Sequence, residues 1–552
     1  MDRREFISMK PTAAASPTGI KVANRRTSTG LAKYSGSWTQ AEAKHLLSRT
    51  LFGFKTSELA SFTSKGLDTA VADILNVSST APNPPLNNYS SADPNVPLGS
   101  TWVNANQDPT YNPQRRTSFK TWWTSLLIQQ DATILEKMVL FLHNHFATQT
   151  ETIDDPRMIY NHNAMLRANA LGNFKSLVKL VTKDAGMLIY LNGALNTKAA
   201  PDENYARELQ ELFCVGKGPD SKYTEDDVKA AARVLTGWRV TRGANPVIVS
   251  FDSTKHDATD KVFSSFYSNA TVTGETGSTA GDLELDDLLN MIFSVDEVAK
   301  FICRKLYRFF VYYEIDADTE TNVIIPLANH FRTNNYDLKP VLEKLLLSEH
   351  FYDMANRGCY IKTPMDHVVG FARQTEMAFP DTSKGVMVQY DHWALWYYYS
   401  AIIGLDIGDP PNVAGWQAYY QEPQYYEMWI NSDSLPKRNQ FTDYLLFAGY
   451  SKSGYTTKAS VLDMADRTSD PQTADTLVAD SLALLLPMDA SSSLKASVKS
   501  ALLPGGIPDY NWKDAWNTYK SNPGNTTNTK NVENLLILMY KSIMNLSEYQ
   551  LI

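Results

Sequence analysis

The chain has 552 residues, a net charge of −8, 43% hydrophobic and 20% charged residues. These are the proportions of a globular chain with a large core and room for two or more domains, not of a disordered one. The acidic balance and the lack of any Lys/Arg cluster exclude a general nucleic-acid binder, and the longest apolar runs, such as Leu535–Tyr540, fall far short of the roughly 20 residues that span a bilayer.

In chain order, Arg3-Arg4 followed by Glu5 and Phe6 has the form of a twin-arginine export signal. Lys10, Pro11 and Pro17 interrupt the apolar stretch that such a signal needs, so a disordered tail reads equally well. Residues 1–36, rich in Ser, Thr, Ala and Gly, are expected to form a mobile leader, with order beginning at Trp38. Thr39-Gln-Ala-Glu42 has the spacing of a capping box, and Leu46, Leu47 and Leu51 follow it at helical intervals. The stretch from Thr80 to Pro113, dense in Pro, Asn, Asp and Ser, is expected to be a long surface loop.

Apolar positions three and four apart then predict helices over Phe119–Gln130, Ile134–Ala147, Ile159–Leu171 and Phe174–Thr182. The same spacing continues over Glu203–Phe213, Glu225–Leu235, Val295–Phe310, Leu338–Leu347 and Met365–Arg373. Strand-like alternation is confined to Val247–Phe251 and Lys261–Thr273. Asp409-Pro-Pro-Asn412 makes a turn before an aromatic segment, and the last hundred residues read as further short helices without a repeat period. The expectation is an all-α, mainly helical array with long loops and at most a small hairpin. It comprises a leader over 1–36, a helical core over 37–440 and a helical extension over 441–552 packed on that core. Cys214, Cys303 and Cys359 lie far apart, without a C-x-x-C pair or zinc-ligand spacing, and are expected to be ordinary thiols in the fold.

Seven strings stand out together: Phe141-Leu-His143-Asn144-His145-Phe146, Asp202-Glu-Asn204-Tyr-Ala-Arg207-Glu208-Leu209, Leu235-Thr-Gly-Trp238, His256-Asp257, Lys305-Leu-Tyr-Arg-Phe-Phe310, Lys362-Thr-Pro364 and Pro410-Pro-Asn-Val-Ala-Gly-Trp416. In this order, from about Trp38 to the carboxyl terminus, they resemble a bacterial family catalogued as a domain of unknown function, DUF1800. That family usually has Asn where this chain has Asp202. The resemblance implies an exported location, periplasmic or at the cell surface, often beside a sulfatase-like protein partner, and it implies no established activity.

The candidate chemistry has a bland reading at each point. On a helix His143 and His145 are about 200° apart, so they do not clasp one ion; His145 falls on the apolar stripe and His143 points away. His145 is either a hydrogen-bonded core residue or a metal ligand. Pro201, Asp202 and Glu203 suit a helix amino terminus. Behind them Asn204, Glu208 and Glu211 lie at or beside a buried face, with Arg207 able to pair with Glu203 or Glu211. A buried polar network accounts for this set, and so does a divalent metal ion held by His145, Glu208 and Glu211. His256 and Asp257 place an imidazole and a carboxylate side by side as a candidate catalytic pair, although neighbouring side chains usually diverge. No nucleophile elbow, zinc-protease helix or phosphate loop is present. Twelve Tyr or Trp between Tyr390 and Trp429, Trp416 and Trp429 among them, suit sugar stacking, a partner surface or an ordinary core. The leading expectation is a non-catalytic cell-envelope protein that binds a glycan or a protein partner through Asn204, Arg207, Trp416 and Trp429. The alternative is a metal-dependent hydrolase using the His/Glu set.

Overall fold

The computed structural model of the chain describes residues 29–552, so the Arg3-Arg4 motif lies outside the described residues. Helices dominate, as the apolar spacing predicts, and the sheets among the described residues are three antiparallel strand pairs. Two of them contain the stretches read as extended: Ile248–Phe251 pairs with Trp238–Thr241, and Lys261–Val262 pairs with Thr271–Val272. The third, Tyr450–Lys452 with Tyr455–Thr457, falls where only helices were expected. Its signal is the Ser453-Gly454 dipeptide between tyrosine- and threonine-bearing runs, a two-residue hairpin turn.

Order begins before Trp38. Leu31 is buried, the Tyr34 amide donates to the Leu347 carbonyl at 2.8 Å, and the Ser35 amide donates to Glu349 at 2.8 Å. A polar strip held by main-chain hydrogen bonds leaves no trace in composition, so the segment 29–36 was misread as mobile. Helix Gln40–Thr50 follows, with the expected Thr39/Glu42 capping box. The long loop is likewise pinned down. Leu86 and Thr101 bridge, Trp102 is fully buried with its indole N–H on Ser118 at 3.1 Å, and Asp93 forms an enclosed ion pair with Arg115 at 3.0 Å.

Helix Leu135–His145 occupies the middle of the molecule. Every residue from Glu136 to His145 is buried, so it has no solvent side on which to leave charge. Glu136 therefore pairs with Arg167, and Lys137 pairs with Asp366 at the start of helix Pro364–Gln374. The boundary expected at residue 440 falls inside helix Ser434–Phe447, against which the long helix Thr526–Met544 packs. The chain end returns to the core: Tyr360 and Ile552 exchange main-chain hydrogen bonds, and the Lys362 amide donates to the Gln550 carbonyl at 2.8 Å. One apolar cluster runs from Leu31 to Tyr549.

A single close approach fixes the helix Gln40–Thr50 segment against helix Pro364–Gln374. Gly53 has φ +75°, and a Cβ there would fall 2.5 Å from the Gly370 Cα, whereas a Cβ on Gly370 would sit 3.8 Å from the Gly53 Cα. Gly53→Ala is expected to cost about 3 kcal/mol or more, from strain and overpacking together. Gly370→Ala, in the same contact but in a helix interior, is expected to stay within about 1 kcal/mol of the parent. Urea denaturation of the two variants checks this; equal losses would show that the contact does not depend on Cβ direction.

Candidate functional site

Three successive side chains end helix Leu135–His145, and each joins a different part of the chain. The His145 ring donates from Nε2 to the Phe213 carbonyl at 3.0 Å, inside a cage that includes Phe146 and Phe174. Burial, reinforced by the Lys305 cation, holds its pKa well below the ordinary histidine value, so the ring is neutral. Asn144 accepts the Trp416 amide at 2.9 Å through its side-chain oxygen. Gly415 is required here: its φ is +93°, and a Cβ would lie 2.2 Å from that same oxygen. His143 does not point away as expected. It is 4% exposed, edge-on to Trp123 at 5.2 Å and beside Trp416 at 6.0 Å, and burial pushes its pKa down to about 3. The stripe argument fails because a helix surrounded on all sides has no outward face.

Two of the three residues expected to hold a metal, His145 and Glu211, have protein partners. Helix Asn204–Glu208 widens into a π-helical turn, Leu209–Cys214, whose Phe213 carbonyl occupies the His145 ring. Glu211 is paired with Lys217. Glu208 keeps one buried oxygen without a partner, and burial, with Glu211 nearby, raises its pKa. Among the described residues no three His, Cys, Asp or Glu are grouped so as to hold a metal ion. Spacing along one helix could not reveal that a main-chain carbonyl from the π turn takes the imidazole. Asn204 is exposed, its amide capped by Asp202 at 2.9 Å, which fits the capping reading of Pro201–Glu203. Arg207 spans to Glu225 at 2.7 Å and to Glu203 at 3.0 Å, tying this helix to helix Glu225–Val234.

His256 and Asp257 diverge. The His256 ring is buried, with Nδ1 beside Thr236 and Nε2 3.0 Å from Glu284, a carboxylate that also takes Lys261 and the Glu275 amide. Asp257 turns to Arg233 at 2.7 Å and to Thr259; despite some burial, these partners hold its carboxyl well below the usual range. The side chains expected to form a catalytic pair thus face different partners, His256 toward Glu284 and Asp257 toward Arg233, within one network that Thr236 and Lys261 tie together.

Trp416 and Trp429 are 3% and 4% exposed, so they are walls of the core and not an open stacking face. Large indoles gain most from full burial, and the rings of this segment pack mainly on distant parts of the chain, Trp416 on His143, Trp396 on Phe379 and Phe441, and Tyr426 on Tyr313 and Tyr360. Of Tyr397, Tyr398 and Tyr399 only Tyr398 stands in solvent. Both indoles border a shallow depression with Asp406 and Asp409, carboxylates bridged by Lys120.

The structure does draw three of the seven strings, and the turn that follows a fourth, to one cavity of about 260 Å³. Phe141 and Asn144 come from the first, Phe301, Lys305, Arg308 and Phe309 from helix Asp296–Phe310, and Ala414 from the Pro-Pro loop; Glu211 and Leu212 follow directly on the Asn204–Leu209 string. Lys217, Tyr419, Tyr420, Glu422 and Tyr425 complete the wall. The Lys305 Nζ lies 5.3 Å from the Phe301 ring centre, and burial together with the Arg308 charge pushes its pKa down to about 7. The Arg308 guanidinium stacks on Tyr425 and donates from Nε to the Tyr313 carbonyl at 3.1 Å. Among the described residues neither cation forms an ion pair, whereas Glu211 is taken by Lys217 and Glu422 accepts the Tyr425 hydroxyl at 2.5 Å. Sequence reasoning missed Lys305 and Arg308 as site residues. Their signal was periodic: 301, 305, 308 and 309 share one helix face that mixes rings and cations.

A family model described as "Protein of unknown function (DUF1800)" matches residues 45–551. No curated protein and no solved structure matches the chain.

Histidines kept neutral by burial make stability depend on pH in one direction. His143 has a folded pKa near 3, below its unfolded value of about 6.5, and the pKa values of His45, His145 and His367 are also depressed. The unfolded chain therefore binds more protons below pH about 6.5, and folding free energy is lost as pH falls from there toward 3. His143 alone should contribute a slope of up to about 1.4 kcal/mol per pH unit. Urea unfolding at a series of pH values should show His143→Phe with a slope shallower by that amount; an unchanged slope would mean that the ring is already protonated in the fold.

Proposed function

The chain belongs to the family described as protein of unknown function DUF1800, and for this member we propose a binding protein for acidic glycans that seats one sugar carboxylate in the Lys305 cavity. The observation that carries the reading is a pair of cations, Lys305 and Arg308, without carboxylate partners in a recess walled by aromatic rings. Rings such as Tyr419 and Tyr420 offer flat apolar faces to the C–H side of a sugar, and Arg308 offers paired N–H donors to a carboxylate. At about 260 Å³ the cavity is smaller than a drug-sized site of roughly 300–1,000 Å³, which suits one ring at a chain end. A glycan is favoured over a protein partner because these rings converge in a concavity and the Trp416 and Trp429 indoles are buried. Export to the cell envelope, where such glycans are met, belongs to the same proposal and is supported by Arg3-Arg4.

Calorimetric titration with glucuronate- and glucose-terminated disaccharides tests it. The acidic sugar should bind and the neutral one should not, and Arg308→Gln should weaken binding by about 10- to 100-fold, the range of a lost charge-assisted contact. Equal affinity for both sugars, or no effect of Arg308→Gln, would sink the reading.

A further inference from the structure

The same cavity has a second chemical property, and the argument for it rests on the binding reading above only for the role of Arg308. Most enclosed lysines and arginines of this chain meet a carboxylate: Lys137 meets Asp366, Lys261 meets Glu284, Lys120 meets Asp406 and Asp409, and Arg115 meets Asp93. Lys44, Arg49, Lys362 and Arg438 are buried without one, resting on main-chain carbonyls or, for Lys362, on the Tyr549 ring, and Lys305 lacks one too. It lines a cavity large enough for a small molecule, its Nζ faces the Phe301 ring at 5.3 Å, and Arg308 stands one turn along the same helix.

We propose that Lys305 is an imine-forming amine, which condenses with the carbonyl of a small oxo acid whose carboxylate rests on Arg308. The Nζ lone pair attacks the carbonyl carbon to make a C–N bond. One of the two amine protons passes to the oxygen to give a carbinolamine, which then loses its hydroxyl with the remaining nitrogen proton as water and leaves a C=N bond to Lys305. Amine and carbonyl give imine and water, with no change in oxidation state and no further reactant. An open-chain aldehyde at the end of an acidic sugar belongs to this class of oxo acids.

The surroundings favour this chemistry. The titratable groups about Lys305 are Arg308 on its own helix, His145 on helix Leu135–His145, Glu211 and Lys217 from the π turn and the loop after it, and Glu422 with Tyr425. Of the two carboxylates, one is neutralised by Lys217 and the other holds a tyrosine hydroxyl, so neither keeps the amine protonated. With a pKa near 7, about half of Lys305 is a free amine at neutral pH, against roughly four parts in ten thousand for an ordinary lysine.

Reductive trapping on the full chain decides the matter. The protein is incubated with glyoxylate and cyanoborohydride between pH 6 and 10, acetaldehyde is run in parallel, and modified lysines are mapped by peptide mass. Glyoxylate is expected to label Lys305 at least tenfold faster at pH 7 than the exposed Lys339 and Lys513, and faster than acetaldehyde does. The Lys305 rate should level off just above pH 7 while the exposed lysines continue to rise toward pH 10. Labelling of Lys305 no faster than of Lys339 and Lys513 would overturn the inference, even if acidic sugars bind in the titration. Selective labelling by both carbonyl reagents with no binding of acidic sugars would remove Arg308 as the carboxylate seat and defeat the binding reading, while leaving the amine chemistry of Lys305 in place.

Discussion

The carboxyl end of helix Leu135–His145 holds the site together by turning three neighbouring side chains into three directions. His145 reaches the π turn through the Phe213 carbonyl, Asn144 takes the Trp416 amide, and the His143 ring lies between Trp123 and Trp416. Successive side chains on a helix point about 100° apart, so a fully buried helix end is the one place where adjacent residues can each meet a different element. The arrangement is dry and carries no formal charge, because burial keeps both imidazoles unprotonated. It positions the π turn, the Pro-Pro loop and helix Asp296–Phe310 around the Lys305 cavity, so that the geometry of the cavity depends on it.

Buried charge is managed differently in the two halves of this picture. Away from the cavity, several buried ion pairs are closed: Glu136 with Arg167, Lys137 with Asp366, and Glu284 between His256 and Lys261. Such pairs add little net stability over apolar packing, but breaking one leaves a solitary buried charge that costs several kcal/mol, so they specify which helices meet. Within the cavity the two cations have no such partner. The π turn contributes by displacing Glu211 toward the cavity rim, where Lys217 engages it.

Both described ends of the chain are stitched to the same region of the core. Residues around Tyr34 attach to Leu347 and Glu349, and Ile552 pairs with Tyr360, two residues before Lys362. The Tyr360 ring stacks on Tyr426 at 4.5 Å, which links the chain end to the aromatic wall of the cavity. The last hundred residues thereby brace the segment that carries Tyr419 and Tyr425, instead of forming an appendage.

Helix content, the Thr39 capping box and the two extended stretches near 250 and 265 were legible because each rests on contacts between residues a few positions apart. The strings around 141, 204, 305 and 410 were also legible, but only as a set with family resemblance. The amino-acid order determined by itself a mainly helical chain without a membrane-spanning helix among the described residues, and it marked which segments mattered. The tertiary structure alone decided what those segments do. His145 became a core residue because a carbonyl 68 positions away took its ring, and Trp416 and Trp429 turned inward. Lys305 and Arg308 emerged as unpaired cations of one cavity because whether a charge has a partner is a property of distance in space, and separation along the chain does not encode it.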